Sequence, residues 1–434
     1  MEKVSQRTSI TAAVYIGLAA AFLLCGYECI RSTANTLFKE PAPAGYGTQY
    51  LPYVMAAVPV GILLMVYAYS WLLTRLGPRK TLLMTSLLSG GAIAACFFAI
   101  GAGFRPARAI LYIVRESYVV LLIAQYWSFL NSRLGTANAK LLYGPICGIG
   151  SIGGIAGAHV VQNYSTSLGV EAMLLFGSAA ILPALICSDL AYARCGEPAA
   201  EPEVRTKQRD YLALRLFKSN QLLLLLLLVI VLTQVVSTVL DLSYQNSLEA
   251  AYPDRELQNA QQAGFWKNVD IAAAIGQFAL SPLLLRFASF TALHVAVPLL
   301  NLAACSYAVM RPSVQSVSMA YFTFKSLDYA IFGAAKEILY IPFSYDVRYR
   351  AKEVIDVWGY RFGKGGTAAC ISILQSAGTV ISVVAFAAIA CGGAGLWLIA
   401  ILPICSRYNR AQRIGDADAA PPVLQQPTGP TELK

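Results

Sequence analysis

Apolar residues run along this chain in long blocks rather than in strict alternation. Twelve stretches stand out, near 10–30, 51–73, 81–104, 109–130, 141–163, 170–192, 220–244, 264–287, 290–310, 315–342, 366–390 and 392–405. A helix needs about 20 apolar residues to cross the hydrocarbon of a bilayer, because no backbone polar group can go unpaired there. The blocks therefore predict an all-α membrane protein of about twelve transmembrane helices, the last of them short. Met1 to Ile30 lacks a small-residue cleavage site with a polar segment behind it, so it reads as a first span rather than a removed signal. The widest polar interval, 193–219, contains EPAAEPEVRTKQRDY and divides the spans six and six. The expected organisation is an N-terminal six-helix bundle over 1–192, a cytoplasmic linker over 193–219 and a C-terminal six-helix bundle over 220–405. A polar, Pro-rich tail over 406–434 has too little apolar content to fold alone. Two such halves rocking about a central site are the usual outline of a transporter.

Composition strengthens that outline. Of 434 residues 57% are hydrophobic and only 13% charged, against about 25% charged in soluble domains. Too little charge remains to cover a water-exposed surface, so the apolar excess faces lipid. The net charge of +10 is explained by placement. With the N-terminus inside, 23 Lys and Arg fall on inner segments and six (Arg31, Lys39, Arg105, Arg108, Arg255, Arg311) on outer ones. That asymmetry puts both termini in the cytoplasm by the positive-inside rule and makes the location an integral, multi-pass membrane, the inner membrane in a bacterium. The basic residues are dispersed, which argues against a nucleic-acid partner. The ten cysteines form no CxxC pair and sit in or beside apolar runs, as small hydrophobes do.

Catalytic motifs fail on inspection. GIGSIGG, with Gly148, Gly150 and Gly153, matches GxGxxG in letters, but no strand precedes it. These glycines read instead as small residues that let one helix approach another closely. GYRFGK, from Gly359 to Lys364, lacks the spacing and the Ser or Thr of a phosphate loop. His159 and His294 lie on separate spans, so no metal site and no nucleophile-base pair can be placed, and no cofactor is implied. The chain is expected not to be an enzyme. The loop TRLGPRK, Thr74 to Lys80, resembles the basic loop between the second and third helices of the major facilitator superfamily; an inner-leaflet anchor reads the same way.

Ionisable groups within spans carry more information, since each costs several kcal/mol there unless it meets water, a partner or the interface. They are Glu28, Arg115, Glu116, Asp241, Lys267, Asp270, Lys325, Asp328, Lys336 and Glu337. Lys325 with Asp328, and Lys267 with Asp270, have the i,i+3 spacing of a structural pair. The rest require a wet, charge-lined cavity of the kind an ionic solute needs.

From Lys336 to Gly366 the chain reads KEILYIPFSYDVRYRAKEVIDVWGYRFGKGG. This segment resembles the ATP/ADP translocases of plastids and intracellular bacteria, a branch of the major facilitator fold. The matching positions are Lys336, Glu337, Tyr340, Ile341, Pro342, Arg348, Lys352, Ile355, Asp356, Val357, Arg361, Gly363 and Lys364. The resemblance implies nucleotide exchange or uptake by alternating access. ATP carries about four negative charges, so several Lys or Arg must replace its lost water, Arg clasping two phosphate oxygens at a time. Arg31, Arg115, Lys267, Lys325 and Lys336 are the expected substrate-binding cations, at least three of the last four sharing one cavity. Tyr27, Tyr112 or Tyr329 would bear the base or simply pack. Glu28, Glu116, Asp241, Asp270, Asp328 and Glu337 are expected to couple or pair charge, and Arg348, Lys352, Asp356, Arg361 and Lys364 to form a cytoplasmic gate.

The chain departs from the family pattern at several positions. A Lys-Asp pair is replaced by Ala34 and Asn35, an acidic residue by Asn138, one Lys by Asp328 and another by Gln245. These changes point to a less charged substrate, to compensation by Lys325 and Arg115, or to protons carried by Asp328 or Glu116. The expectation is thus a nucleotide or related phosphorylated anion as partner, beside the lipid bilayer. Proton-coupled uptake of a less charged metabolite and a non-transporting protein that kept the fold are the alternatives.

Overall fold

The computed structural model describes residues 6–133, 136–197, 221–280, 284, 287–333, 335–336, 355 and 359–417. Of the residues singled out above, Glu337, Arg348, Lys352 and Asp356 lie outside the described residues, as do most of the 193–219 linker and the end of the tail. The described residues form eleven α-helices and no strand. They are α1 (Gln6–Lys39), α2 (Leu51–Gly101), α3 (Pro106–Arg133), α4 (Thr136–Leu168), α5 (Ala172–Cys195), α6 (Gln221–Ala251), α7 (Arg255–Ile275), α8 (Phe290–Met310), α9 (Val314–Leu327), α10 (Tyr360–Ser376) and α11 (Val383–Ala417). Single π turns follow α7 (Gly276–Leu280) and α9 (Asp328–Phe332).

Two predicted spans are the arms of α2. The chain bends at Gly77, whose φ of 76° excludes a side chain at low cost, and Pro78 restarts the helix where its missing N–H is harmless. The fold thus has the twelve-helix layout, and six of its helices are long and apolar enough to cross a membrane unaided. Large apolar side chains such as Leu64, Tyr67, Phe98, Ile152, Ile373 and Ile399 cover the outside, a surface that suits lipid.

Several boundaries differ from the sequence reading. The break between the last two spans falls at Ala377–Ser382, where Gly378 adopts φ 85° and caps α10, and not near 391. The CGGAG run lies inside α11, where Gly393 lets the helix press against Val236 of α6. The first span continues to Lys39, so Arg31 is a helix-interior residue two turns before the end and Lys39 is buried; neither is an outer-loop cation.

One hydrophobic core draws only on residues between Ala12 and Cys195. The other is built from Leu223 to Cys405, joined by Phe38, Tyr112 and the start of α2. Helix α1 is the centre of the first, packed by α3, α4 and α5, and α6 is the centre of the second, against α9, α10 and α11. The halves meet along α4 with α7 and α2 with α10. The small-residue stripe on α4 works as expected: a Cβ added at Gly153 or Gly157 would overlap the backbone oxygens of Ala21 and Cys25 on α1.

Gly157→Ala is therefore expected to cost about 1–3 kcal/mol by forcing α4 off α1, read as a lower melting midpoint in detergent. Gly91→Ala, where a Cβ meets nothing within 4 Å, should hold or raise the midpoint.

Candidate functional site

Between the two cores lies a cavity of about 140 Å³. Its charged lining residues are Arg31, Arg115, Glu116, Asp241, Lys325, Arg361 and Lys364, so five cations face two carboxylates among the described residues. Tyr27, Trp266, Tyr321, Tyr329 and Tyr360 supply an aromatic wall.

Helix α1 delivers Arg31, whose Nη1 donates to Glu28 Oε1 at 2.9 Å. Its guanidinium stacks 3.1 Å from the centre of the Trp266 ring on α7. Phe265 stacks on Tyr321 at 5.3 Å, and Trp266 meets Tyr321 edge-on at 5.6 Å. The flat cation is thus held against a rigid aromatic bed, a stack that favours Arg over Lys.

Arg115 is buried and locked on three sides. Nη1 donates to Arg31 O at 2.7 Å and Asn35 Oδ1 at 2.9 Å, and Nη2 to Glu116 Oε1 at 2.5 Å. Its guanidinium lies 4.3 Å from the Tyr112 ring centre. The second oxygen of Glu116 accepts from Lys364 Nζ at 3.1 Å. Arg115, Glu116 and Lys364 form a chain from α1 through α3 to α10, tying one half to the other across the cavity. Lys325 is 6% exposed, with Nζ 5.5 Å from the Tyr329 ring centre. Asp241 accepts a 3.4 Å contact from Gln245 Nε2, and Gln245 in turn accepts from buried Lys39 at 2.8 Å.

The structure brings together only part of the expected cation set. Of Arg115, Lys267, Lys325 and Lys336, two line the cavity, not three. Lys267 donates to Gln162 of α4; its neighbour Trp266 faces the cavity instead, since successive helical residues point about 100° apart. Lys336 follows the second π turn and is not among the lining residues, while Asp328 lies in its electrostatic reach. Arg361 and Lys364, expected at a gate, sit one turn apart at the start of α10 and line the cavity, because that helix begins at Tyr360 and not at 366. Tyr27 and Tyr329 line it as well, whereas Tyr112 is buried beneath Arg115. Asp270 and Glu28 stand behind Arg31 rather than in the wall. Sequence reasoning missed Trp266, Tyr321 and Tyr360; the signal for Trp266 was an aromatic beside a span-interior lysine.

The end of the bundle near Glu40 is closed by contacts between the halves. Arg255 donates to Glu40 at 2.8 Å and to Glu171 at 2.6 Å, and Glu40 also accepts from Arg108 at 2.9 Å. Thr48 pairs with Glu249, Asn259 bridges to Thr33 at 3.3 Å, and Tyr53 meets Ser376 at 2.6 Å. At the opposite end, the described ion pair stays within one half: Arg79 of the TRLGPRK loop forks onto Asp189 at 2.7 and 3.0 Å.

Residues 299–408, about a quarter of the chain, match the model of the family described as TLC ATP/ADP transporter. No curated protein matches. Among solved structures, a mutant form of the nucleoside transporter NupG superimposes with a TM-score of 0.69 at 12% identity, covering 91% of this chain and 99% of that one. The POT family transporter PepTSo gives 0.65 at 14% identity, over 93% and 98%. The xylose transporter XylE from E. coli, in an inward-open conformation, gives 0.62 at 12% identity, over 90% and 95%. The fold is that of the major facilitator transporters.

A cavity with surplus cations should bind a small polyanion. Pyrophosphate is expected to raise the melting midpoint of the protein in detergent, because a ligand of the folded state stabilises it by mass action. Lys325→Met and Arg361→Gln should each shrink that shift, measured from each variant's own ligand-free midpoint.

Proposed function

We propose that the chain is an alternating-access carrier that moves nucleotides, or a closely related phosphorylated anion, across a membrane. The observation that carries this reading is the convergence of Arg31, Arg115, Lys325, Arg361 and Lys364 on one buried cavity with an aromatic wall. Buried cations of that number, answered by Glu116 and Asp241 in the wall and Glu28 behind it, are stable only if an anion or water completes them. A nucleotide offers both parts of the match: phosphates for the cations and a flat base for Trp266, Tyr321 or Tyr329. The family match over 299–408 and the transporter fold support it.

In this reading residues 1–192 and 220–405 are the two rocking bodies. The Lys and Arg distribution puts the Gly77 end in the cytoplasm with both termini, and the inner membrane is the location in a bacterium. Arg255, Glu40, Glu171 and Arg108 then make the outer gate, closed in this conformation. Arg31 and Lys325 hold phosphate, Arg361 and Lys364 complete the charge near the cytoplasmic side, and Arg115 fixes Arg31 through its carbonyl. Glu116 keeps Lys364 in place between substrates. The protein performs translocation with no covalent step.

Purified protein in liposomes should take up labelled ATP or ADP, with unlabelled nucleotides competing and adenosine competing poorly. Lys325→Met and Arg361→Gln should each raise the apparent KM about tenfold or more, the loss of one charge-assisted hydrogen bond. Uptake that never depends on internal nucleotide excludes strict exchange. No uptake of any nucleotide sinks the substrate class.

A further inference from the structure

We propose that Glu28 and Asp270 form a proton-binding pair, switched by Arg31, that couples movement of the phosphorylated anion to a proton. The inference deepens the reading above and rests on it.

Glu28 is 4% exposed and lies on α1 in the first half, and Asp270 lies on α7 in the second. Both side chains flank Gly154 of α4. A Cβ added there would stand 3.1 Å from Asp270 Oδ2 and 3.9 Å from Glu28 Cγ. Glu28 Oε1 accepts from Arg31, but Glu28 Oε2 and Asp270 Oδ2 are both buried with no hydrogen-bond donor. The two carboxylates of the cavity wall are differently placed: Glu116 is held by Arg115 and Lys364, and Asp241 accepts from Gln245.

The surrounding titratable and charged groups do not relieve the pair. On α1 they are Tyr27, Cys25, Cys29 and Arg31; on α3, Arg115, Glu116 and Tyr118; on α7, Lys267; and on the π turn, Asp328 and Tyr329. Among the described residues Arg31 is the one cation that hydrogen-bonds either carboxylate, since Arg115 is committed to Glu116 and Lys267 to Gln162. Two desolvated carboxyl groups flanking one glycine beside a single cation share a proton, because neighbouring negative charges repel in a low dielectric.

Arg31 gives the pair its connection to transport. Its guanidinium faces the cavity, and a phosphate arriving there competes with Glu28 for the same N–H donors. When Arg31 turns to phosphate, Glu28 loses its counter-ion and a proton from the open aqueous face adds to a carboxylate oxygen. When the anion leaves on the other side, Arg31 returns to Glu28 and the proton departs to that side. One proton then accompanies each anion, offsetting one of its charges. Because Glu28 is on α1 and Asp270 on α7, protonation of the pair also changes the charge between the rocking halves.

The test uses full-length protein in liposomes. With labelled nucleotide outside and an acid-outside gradient, the parent should accumulate nucleotide up to about tenfold per pH unit, and an internal pH dye should report acidification on nucleotide addition. Asp270→Asn and Glu28→Gln should exchange nucleotide at equal pH on both sides yet lose the gradient-driven accumulation and the dye signal. A parent that exchanges nucleotide but ignores the gradient, or an Asp270→Asn protein that accumulates like the parent, overturns the coupling. If the parent moves no nucleotide, the substrate reading fails by itself, and the pair is then decided by infrared difference spectra on adding pyrophosphate. A carboxylic-acid carbonyl band that grows with pyrophosphate and disappears in both variants supports the proton site, and its absence in the parent overturns it.

Discussion

Charge buried between two apolar bundles is the constraint on which the rest of this structure depends. Each bundle is covered outside by side chains that suit lipid, so every ionic group must be answered from within. The chain from Arg31 O through Arg115 and Glu116 to Lys364 does this over three helices, with each heavy-atom distance between 2.5 and 3.1 Å. Removing one partner of such a buried series leaves an uncompensated charge, which is far costlier than the net worth of the pair. The chain is therefore both a structural tie between the halves and the frame in which the cavity cations are held. Arg31, paired with Glu28, and Lys325 and Arg361 stand outside that series, on the cavity wall.

The same constraint separates the two ends of the molecule. At the Glu40 end, one carboxylate collects both Arg108 and Arg255, and Arg255 reaches on to Glu171. Arg255 is 41% exposed, so each of its pairs is weak individually, on the order of 1 kcal/mol or less. The two cross-half pairs of Arg255 are therefore the solvent-reached part of this closure, whereas the pair of Arg108 with Glu40 beside them is buried within the first half.

Much of the fold was legible in the sequence because hydrocarbon imposes a length and a composition that a single block of residues must satisfy. The twelve-helix layout follows from that alone. Boundaries were harder. The gap set near 391 in the sequence reading falls inside α11, where Gly393 lets the helix press on Val236, while the real break at Gly378 carried no stronger local signal. At the site, intrahelical spacing misled in the case of Lys267 and Asp270. Their i,i+3 spacing suggested a pair, but Lys267 found Gln162 on α4 and Asp270 turned toward Glu28, both partners distant in sequence. Arg115 and Lys325 could be picked out because a charge in a span demands a wet space, and Arg31 through the family resemblance, although the span boundary put it on an outer loop. Trp266 and Tyr321 could not, since an aromatic residue within a span is equally at home against lipid, a core or a ligand.

The central claim is that surplus cations around this cavity exist to receive a polyanion. Equilibrium binding of adenosine, AMP, ADP and ATP to the purified protein at one ionic strength tests it most directly. The account predicts affinity that climbs with each added phosphate and falls as salt is raised. Equal affinity across the series, or tightest binding of adenosine, would contradict it.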